Sequence, residues 1–259
     1  MIEDIEKNKI IELREIMKTI SDESISDQNK GLPQPSLEKQ CGGSSFIALT
    51  KDFEKVVKNN NYMDLLNART SKRKYTDEAL TKDELAFLLW ATQGVKQVIG
   101  KQKKATIRTV PSAGARHPFE TYLFINRVQE LEPGLYHYLA LEHKLEFIGS
   151  VENQIDKLSE AFCGQTFFAN AAVCFLWTVI PYRSEWRYGK VAQKYALLDA
   201  GHVCQNLYLA SEAISCGACA IGAYIQELAD GLLGLDSAPS FEKENEFVTY
   251  AASVGKLES

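Results

Sequence analysis

Between residues 196 and 214 the apolar side chains Ala196, Ala200, Val203, Leu207, Ala210 and Ile214 recur at alternating steps of four and three. Those steps keep one face of a 3.6-residue helix apolar. The pattern predicts a core helix of five turns or more, ending at Gly217, where a residue without Cβ suits the left-handed stop. Whatever else the chain forms must cover that stripe. A second apolar run, "FFANAAVCFLWTVI" at 167–180, is interrupted by Asn170 and Thr178 and is too short for a membrane helix. Its part from 171 to 180 reads as a strand buried on both faces.

The remaining segments mix both kinds of element. Apolar residues at Ile2, Ile5, Ile10, Leu13, Met17 and Ile20 form a rough helical stripe, and "SDESISDQNKGLPQPS", broken by Pro33 and Pro35, reads as a linker or extended strap. Helices are expected from about Phe53 to Asn67 and after Thr81, where Thr81 and Glu84 have capping-box spacing. "ATIRTVPSAGARHP" (105–118) has turn chemistry, and "FETYLFINRV" reads as a strand. "GLYHYLALEHKLEFIG" predicts a hairpin turning near Leu141 to Lys144, and 153–162 a short helix. "ACAIGAY" and "EFVTYAASVG" are strand candidates flanking the short helix "ELADGLLGL". No regular βαβ alternation is present, so the class is α+β. The expected organisation is an N-terminal helix and strap over 1–50 and one domain over 51–259, long enough and, at 45% hydrophobic, apolar enough for a full core.

The net charge of -5 argues against a nucleic-acid partner. Acids at Glu3, Asp4 and Glu6 do not suit a secretion signal, and the expectation is a cytoplasmic protein. Cys41, Cys163, Cys174, Cys204, Cys216 and Cys219 are irregularly spaced, which disfavours a disulfide framework; Cys174 and Cys204 read as small core residues. Cys216 and Cys219 make a lone C-x-x-C with no second pair, so no metal site is expected. Cys216 is expected to end the long helix and Cys219 to begin a strand.

Against this acidic background, "ARTSKRKYT" at 68–76 carries Arg69, Lys72, Arg73 and Lys74. In an extended segment Arg69, Ser71 and Arg73 point one way, and two guanidinium groups flanking a hydroxyl suit a phosphate. Lys72 and Lys74 would then face water. The alternative is a solvated basic loop. The small residues of "PSAGARHP" allow close backbone approach to a flat or anionic ligand, or form a simple turn. Asp199 and His202 share a helix face, either to orient an imidazole or as an ordinary helical hydrogen bond. No G-x-G-x-x-G follows a strand, so a Rossmann dinucleotide site has no support.

Taken in order, "ARTSKRKY", "PSAGARHPFETY", "GLYHY", "YALLDAGHVCQNLYLASEA", "GACAIGAY" and the closing "VGK" resemble the nitroreductase family of FMN-dependent oxidoreductases. They look most like its SagB-type dehydrogenase subgroup, which includes azoline oxidases of peptide tailoring. The resemblance runs from about residue 30 to the end. It implies a central, mostly antiparallel sheet flanked by helices, and a homodimer with FMN at the subunit interface, the long 187–216 helix central to it.

By position, the resemblance assigns Arg69, Thr70, Ser71 and Arg73 to FMN, chiefly its phosphate and ribityl chain. It assigns Pro111, Ser112, Ala113 and Gly114 to one side of the flavin ring, Gly217, Ala218 and Cys219 to the other, and Lys256 to the phosphate. An Asn that many relatives carry after the Pro-Ser turn is replaced here by Gly114-Ala115-Arg116. Azoline oxidases use a Lys-Tyr pair in proton abstraction, and Arg187-Tyr188 and Lys194-Tyr195 correspond to it loosely; Tyr188, Lys194 and Tyr195 are the catalytic candidates.

The activity implied is hydride transfer through FMN, driven by NAD(P)H onto nitro, quinone or related small acceptors. The alternative is a dedicated dehydrogenase whose flavin is reoxidised by oxygen. A protein that holds FMN, or nothing, without turnover is the third possibility.

Overall fold

The computed structural model describes residues 4–18, 25–40, 42–43, 45–101, 104–236, 242 and 244–258. Its centre is a seven-stranded sheet in the order β1 (Phe46–Ala48), β6 (Lys144–Gly149), β5 (Gly134–Leu139), β4 (Phe119–Ile125), β7 (Val173–Val179), β9 (Phe247–Lys256), β8 (Cys216–Ile221). Every pairing between these strands is antiparallel. The α+β, mostly antiparallel expectation therefore holds. β4 and β7 are buried along their whole length, and for β7 this matches the doubly buried strand expected at 171–180.

Because β4 and β7 are covered on both faces, the core has two parts. On one face α3 (Lys82–Gln93) and α7 (Ala192–Ala213) pack against Leu123, Phe175, Trp177 and Val254. On the other, α4 (Gln154–Ala161), α5 (Thr166–Ala169) and α8 (Gln226–Leu232) cover Tyr122, Phe124, Cys174 and Leu176. The apolar stripe of α7 and its end is buried as expected: Ala196, Ala200, Val203, Leu207, Ala210 and Ile214 all belong to the first core. Each fully buried Val or Leu contributes about 1.5–3 kcal/mol. Cys174 and Cys204 are buried, as expected.

Several boundaries differ from expectation. The long helix does not run from 187 to 216. Gly189, at φ 54 and ψ -139, breaks it into α6 (Tyr182–Tyr188), a short 3-10 turn at Gly189–Val191, and α7. The C-terminal stop is Ser215, left-handed at φ 57, rather than Gly217. Cys216 consequently opens β8 instead of ending a helix. The helix expected over 53–67 shrinks to α2 (Tyr62–Ala68), because Asn61 caps it by accepting from the Met63 amide. The amides of Lys58 and Asn59 are meanwhile taken by the Ala213 carbonyl at the end of α7. Part of the turn-rich 105–118 stretch is strand: β3 (Ala105–Arg108) pairs with β2 (Val95–Ile99).

α1 (Asp4–Met17) has the predicted helical form; the flanking Ile2 and Ile20 lie outside the described residues. The strap from 25 to 40 lies on the body through specific bonds. The Gln28 amide donates to the Trp186 carbonyl at 2.8 Å, and the Trp186 indole donates to the Leu32 carbonyl at 3.0 Å. The Lys39 amide donates to the buried Glu120 at 2.6 Å, and the Lys39 ammonium pairs with Glu246 at 2.6 Å. Among the described residues no helix is long and apolar enough to cross a membrane.

Candidate functional site

The cationic element leaves α2 at Arg69 and runs along β8, the edge strand of the sheet. Ser71 bridges Ala218 in parallel register, and the Lys72 amide donates to the Ala218 carbonyl at 2.9 Å. Gly217 is needed for this approach: a Cβ there would stand 2.9 Å from the Lys72 Cβ and 2.7 Å from Leu257. The Ser71 hydroxyl lies 2.9 Å from the Tyr208 hydroxyl, and Tyr208 also accepts from the Ala220 amide at 2.8 Å. One α7 phenol therefore fixes both the cationic element and β8.

Arg69 lies over the Tyr208 ring at 5.4 Å, and Arg73 over Phe167 at 5.8 Å. Among the described residues neither arginine has a carboxylate within ion-pair distance. Two uncompensated guanidinium groups beside a hydroxyl are the donor set that a phosphate fits. Lys72 corrects the alternation argument. It does not face water but pairs with Glu212 of α7 at 2.7 Å, because the docked strand turns its side chain onto the helix. Lys74 is exposed, as expected. Thr70 is exposed beside these residues.

Lys256, on β9, is buried. Its ammonium meets Glu84 at 2.5 Å, the same glutamate that accepts from the Thr81 amide in the capping box of α3. Burial pushes the Lys256 pKa down, but the Glu84 bond and charge outweigh it and the net shift is upward. Cys219 is buried on β8, and burial raises its pKa against opposing contacts with Arg73, Tyr208 and Ser71.

The Pro-Ser turn is fastened to the other end of α7. The Ser112 hydroxyl donates to Asp199 at 2.6 Å, and the Ala113 amide donates to the same carboxylate at 3.3 Å. Ser112 in turn accepts from the His117 amide at 2.9 Å. Burial raises the Asp199 pKa, and these two bonds oppose it. Asp199 thus serves the turn, and its neighbour His202 is exposed. Gly114, Ala115 and His117 all have positive φ, at 57, 53 and 45. Such conformations at non-glycine residues cost about 1–3 kcal/mol each and collect at functional sites. A Cβ on Gly114 would collide with the Tyr188 hydroxyl and stand 2.9 Å from Arg187 Nε. Tyr188 packs edge-on against Tyr195 at 4.9 Å. Tyr188 is therefore at the turn, Tyr195 stands behind it, and Lys194 follows on the first turn of α7.

Asp199 and Tyr208 are nine residues apart on α7, which in a regular helix is about 180° around the axis and about 13.5 Å along it. The turn at 111–114 and the cationic element at 69–73 are accordingly held on opposite flanks of α7. Within one chain these two candidate half-sites are each fastened to α7, one through Asp199 and one through Tyr208. Around them Leu197 and Leu198 on α7 and Tyr62 and Met63 on α2 are exposed, from 53% to 64%.

Sequence reasoning missed Tyr208 and Glu212, the α7 residues that seat the cationic element, and the role of Asp199 toward the turn. No local pattern marks these roles, because each partner lies far away in the sequence.

A model of the Nitroreductase family matches residues 66–256, which span both half-sites. A Methanocaldococcus jannaschii protein that carries the name nitroreductase is 32% identical over 62% of this chain and 78% of its own length. The trifolitoxin-processing protein TfxB of Rhizobium leguminosarum bv. trifolii is 31% identical over 40% of this chain, which spans only 29% of that protein. Among solved structures, an Anabaena variabilis protein with the nitroreductase name superposes with a TM-score of 0.69 at 22% identity, covering 93% of this chain and 45% of that one.

Proposed function

Because the chain belongs to the nitroreductase family, whose members are oxidoreductases and typically bind flavin, we propose that it is a cytoplasmic, homodimeric FMN-dependent enzyme. NAD(P)H is the proposed electron donor, and nitro, quinone or related small molecules the acceptors. The observation that carries this reading is the uncompensated pair Arg69 and Arg73 seated around Ser71 on the sheet edge.

In this reading Arg69, Ser71 and Arg73, with Thr70 beside them, hold the phosphate and ribityl chain. Lys256, the further residue assigned to the phosphate, has its charge balanced by the buried Glu84. Gly217, Ala218 and Cys219 border one side of the ring. The 111–114 turn borders the other, with Pro111 and Gly114 at its surface and the Ala113 backbone fixed by Asp199. FMN, when bound, supplies hydride acceptance and donation at N5. The chain positions the ring, excludes water around it and aims polar backbone at its edge.

Placement of the two half-sites on opposite flanks of α7 supports the homodimer. Each cofactor would lie between the 69–73 element of one protomer and the 111–114 turn of its partner. The exposed Leu197, Leu198, Tyr62 and Met63 supply apolar area for that contact. The N-terminal helix and strap, 1–50, are proposed as an addition to the FMN-binding domain over 51–259, with β1 joining the sheet edge.

The match to the trifolitoxin-processing protein favours a second reading, a dedicated SagB-type dehydrogenase of peptide tailoring with oxygen reoxidising the flavin. Tyr188, next to Gly114, is then the candidate for holding or moving a proton at its hydroxyl. Lys194 and Tyr195 stand further along.

Anaerobic addition of NADH and NADPH to the flavin-loaded protein tests the reading. Bleaching of the flavin spectrum supports the reductase. A persistent spectrum that bleaches only with a peptide azoline favours the dehydrogenase.

A further inference from the structure

The turn that bears Ser112 also carries Arg116, which the cofactor assignment leaves unused. Arg116 is only 4% exposed, and its Nη2 is buried without a hydrogen-bond partner. Its Nε donates to the Arg183 carbonyl at 2.9 Å, and its guanidinium lies over the Trp186 ring at 5.0 Å. No described carboxylate compensates it. Glu120, buried nearby, is engaged by Arg183 at 2.5 Å and by His137 at 2.9 Å. Glu185, on α6, accepts from Gln193 at 2.5 Å.

The charges that do face Arg116 are Arg183 and Arg187, both of its own sign. Arg187 is exposed and lies over the Tyr188 ring at 5.4 Å. Arg187 and the Tyr188 hydroxyl both border Gly114. Buried guanidinium groups without counter-charge are costly. Here burial and like charge together depress the Arg116 pKa to about 10. The left-handed residues Ala115 and His117 on either side fix the backbone that holds Arg116 there.

We propose that Arg116 and Arg187, with the Tyr188 hydroxyl, form an anion-binding subsite over the 112–114 turn. It takes a carboxylate or phosphate carried by the molecule that docks against the flavin. Two planar forks suit either group in paired hydrogen bonds, and the exposed Arg187 can close over what Arg116 receives from below. The subsite selects anionic acceptors over neutral ones of the same shape, and it rests on the reading that this turn borders the flavin.

The test measures flavin content first, then titrates the purified protein calorimetrically with benzoate, phenyl phosphate and the neutral benzamide. The expected result is that one or both anions bind at least about tenfold more tightly than benzamide. Arg187→Glu, a surface change, is expected to abolish that preference, and Arg116→Gln to weaken it if the variant folds. A preference for benzoate over phenyl phosphate names a carboxylate, and the reverse a phosphate.

Flavin uptake with equal binding of all three probes overturns the subsite and leaves the proposed function standing. An anion preference that survives Arg187→Glu overturns it as well. An Arg187-dependent anion preference in a protein that takes up no flavin keeps the subsite and overturns the flavin reading. Neither flavin nor anion preference overturns both.

Discussion

Asp199 and Tyr208 sit on one helix and look in opposite directions, Asp199 holding Ser112 at 2.6 Å and Tyr208 touching Ser71 at 2.9 Å. α7 is therefore the element that positions both half-sites, and its integrity is coupled to each.

Replacing Asp199 separates charge from hydrogen bonding. Asp199→Asn keeps one acceptor oxygen but turns its NH2 toward the other donor, and is expected to cost some stability, less than alanine. Asp199→Ala leaves the Ser112 hydroxyl and Ala113 amide unpaired, a loss of about 1–3 kcal/mol. In a chain of this size that is about 2–4 °C of melting temperature per kcal/mol. Thermal unfolding of both variants, with FMN retention measured alongside, checks the order wild type, Asn, Ala.

Arg69→Ala and Arg73→Ala are each expected to weaken FMN binding by about tenfold or more, the value of a charge-assisted hydrogen bond. Because neither arginine pairs with a described carboxylate, the melting temperature of the FMN-free protein should hardly change. Equilibrium dialysis with FMN and a thermal scan without it separate the two effects. Unchanged affinity in both variants would contradict the phosphate assignment.

Gly217→Ala places a Cβ against Lys72 and Leu257. The strand at 71–72 must shift, at a cost of about 1–3 kcal/mol for overpacking, and FMN affinity should fall with it. Gly201→Ala, on α7, is the control: no atom comes within 4 Å of the added Cβ, and stability should hold or rise.

The strap is held by a buried acid with pH consequences. Burial raises the Glu120 pKa, but Arg183 and His137 outweigh it and bring it down to about 2 from its ordinary 4.5. A depressed carboxylate contributes stability above its unfolded pKa, lost as pH falls through the folded one. Urea midpoints should therefore drop between pH 4.5 and pH 2. Burial lowers the His137 pKa, yet the bond and charge of Glu120 raise it overall. Its contribution is complete below 6.5 and is lost as pH rises through the higher folded value. Glu120→Gln should flatten the acid limb while lowering stability at neutral pH by on the order of 3 kcal/mol, since it strands the Arg183 charge.

The sequence made the sheet's centre and the α7 stripe readable, because β4 and β7 are rich in large apolar residues and the stripe has an unbroken 3.6-residue period. Breaks set by single residues were harder. Gly189 and Ser215 end helices through left-handed backbone, and neither interrupts the apolar pattern around it. β2 and β3 were missed because Val98, Ile99 and Ile107 are exposed while β3 buries the polar Thr106 and Arg108, the reverse of the usual pattern. In the candidate site, Arg69, Ser71 and Arg73 stood out by charge. Lys72 was misplaced because alternation alone does not show which neighbour a strand docks against. Tyr208 and Glu212 gave no local signal, since their partners lie 137 and 140 residues away.

Sedimentation of the purified protein with added FMN, with protein and flavin absorbance recorded together, tests whether two copies of this chain hold the cofactor between them. Flavin should co-sediment with a dimer at one per chain. A colourless sedimenting species, whatever its size, would contradict that placement.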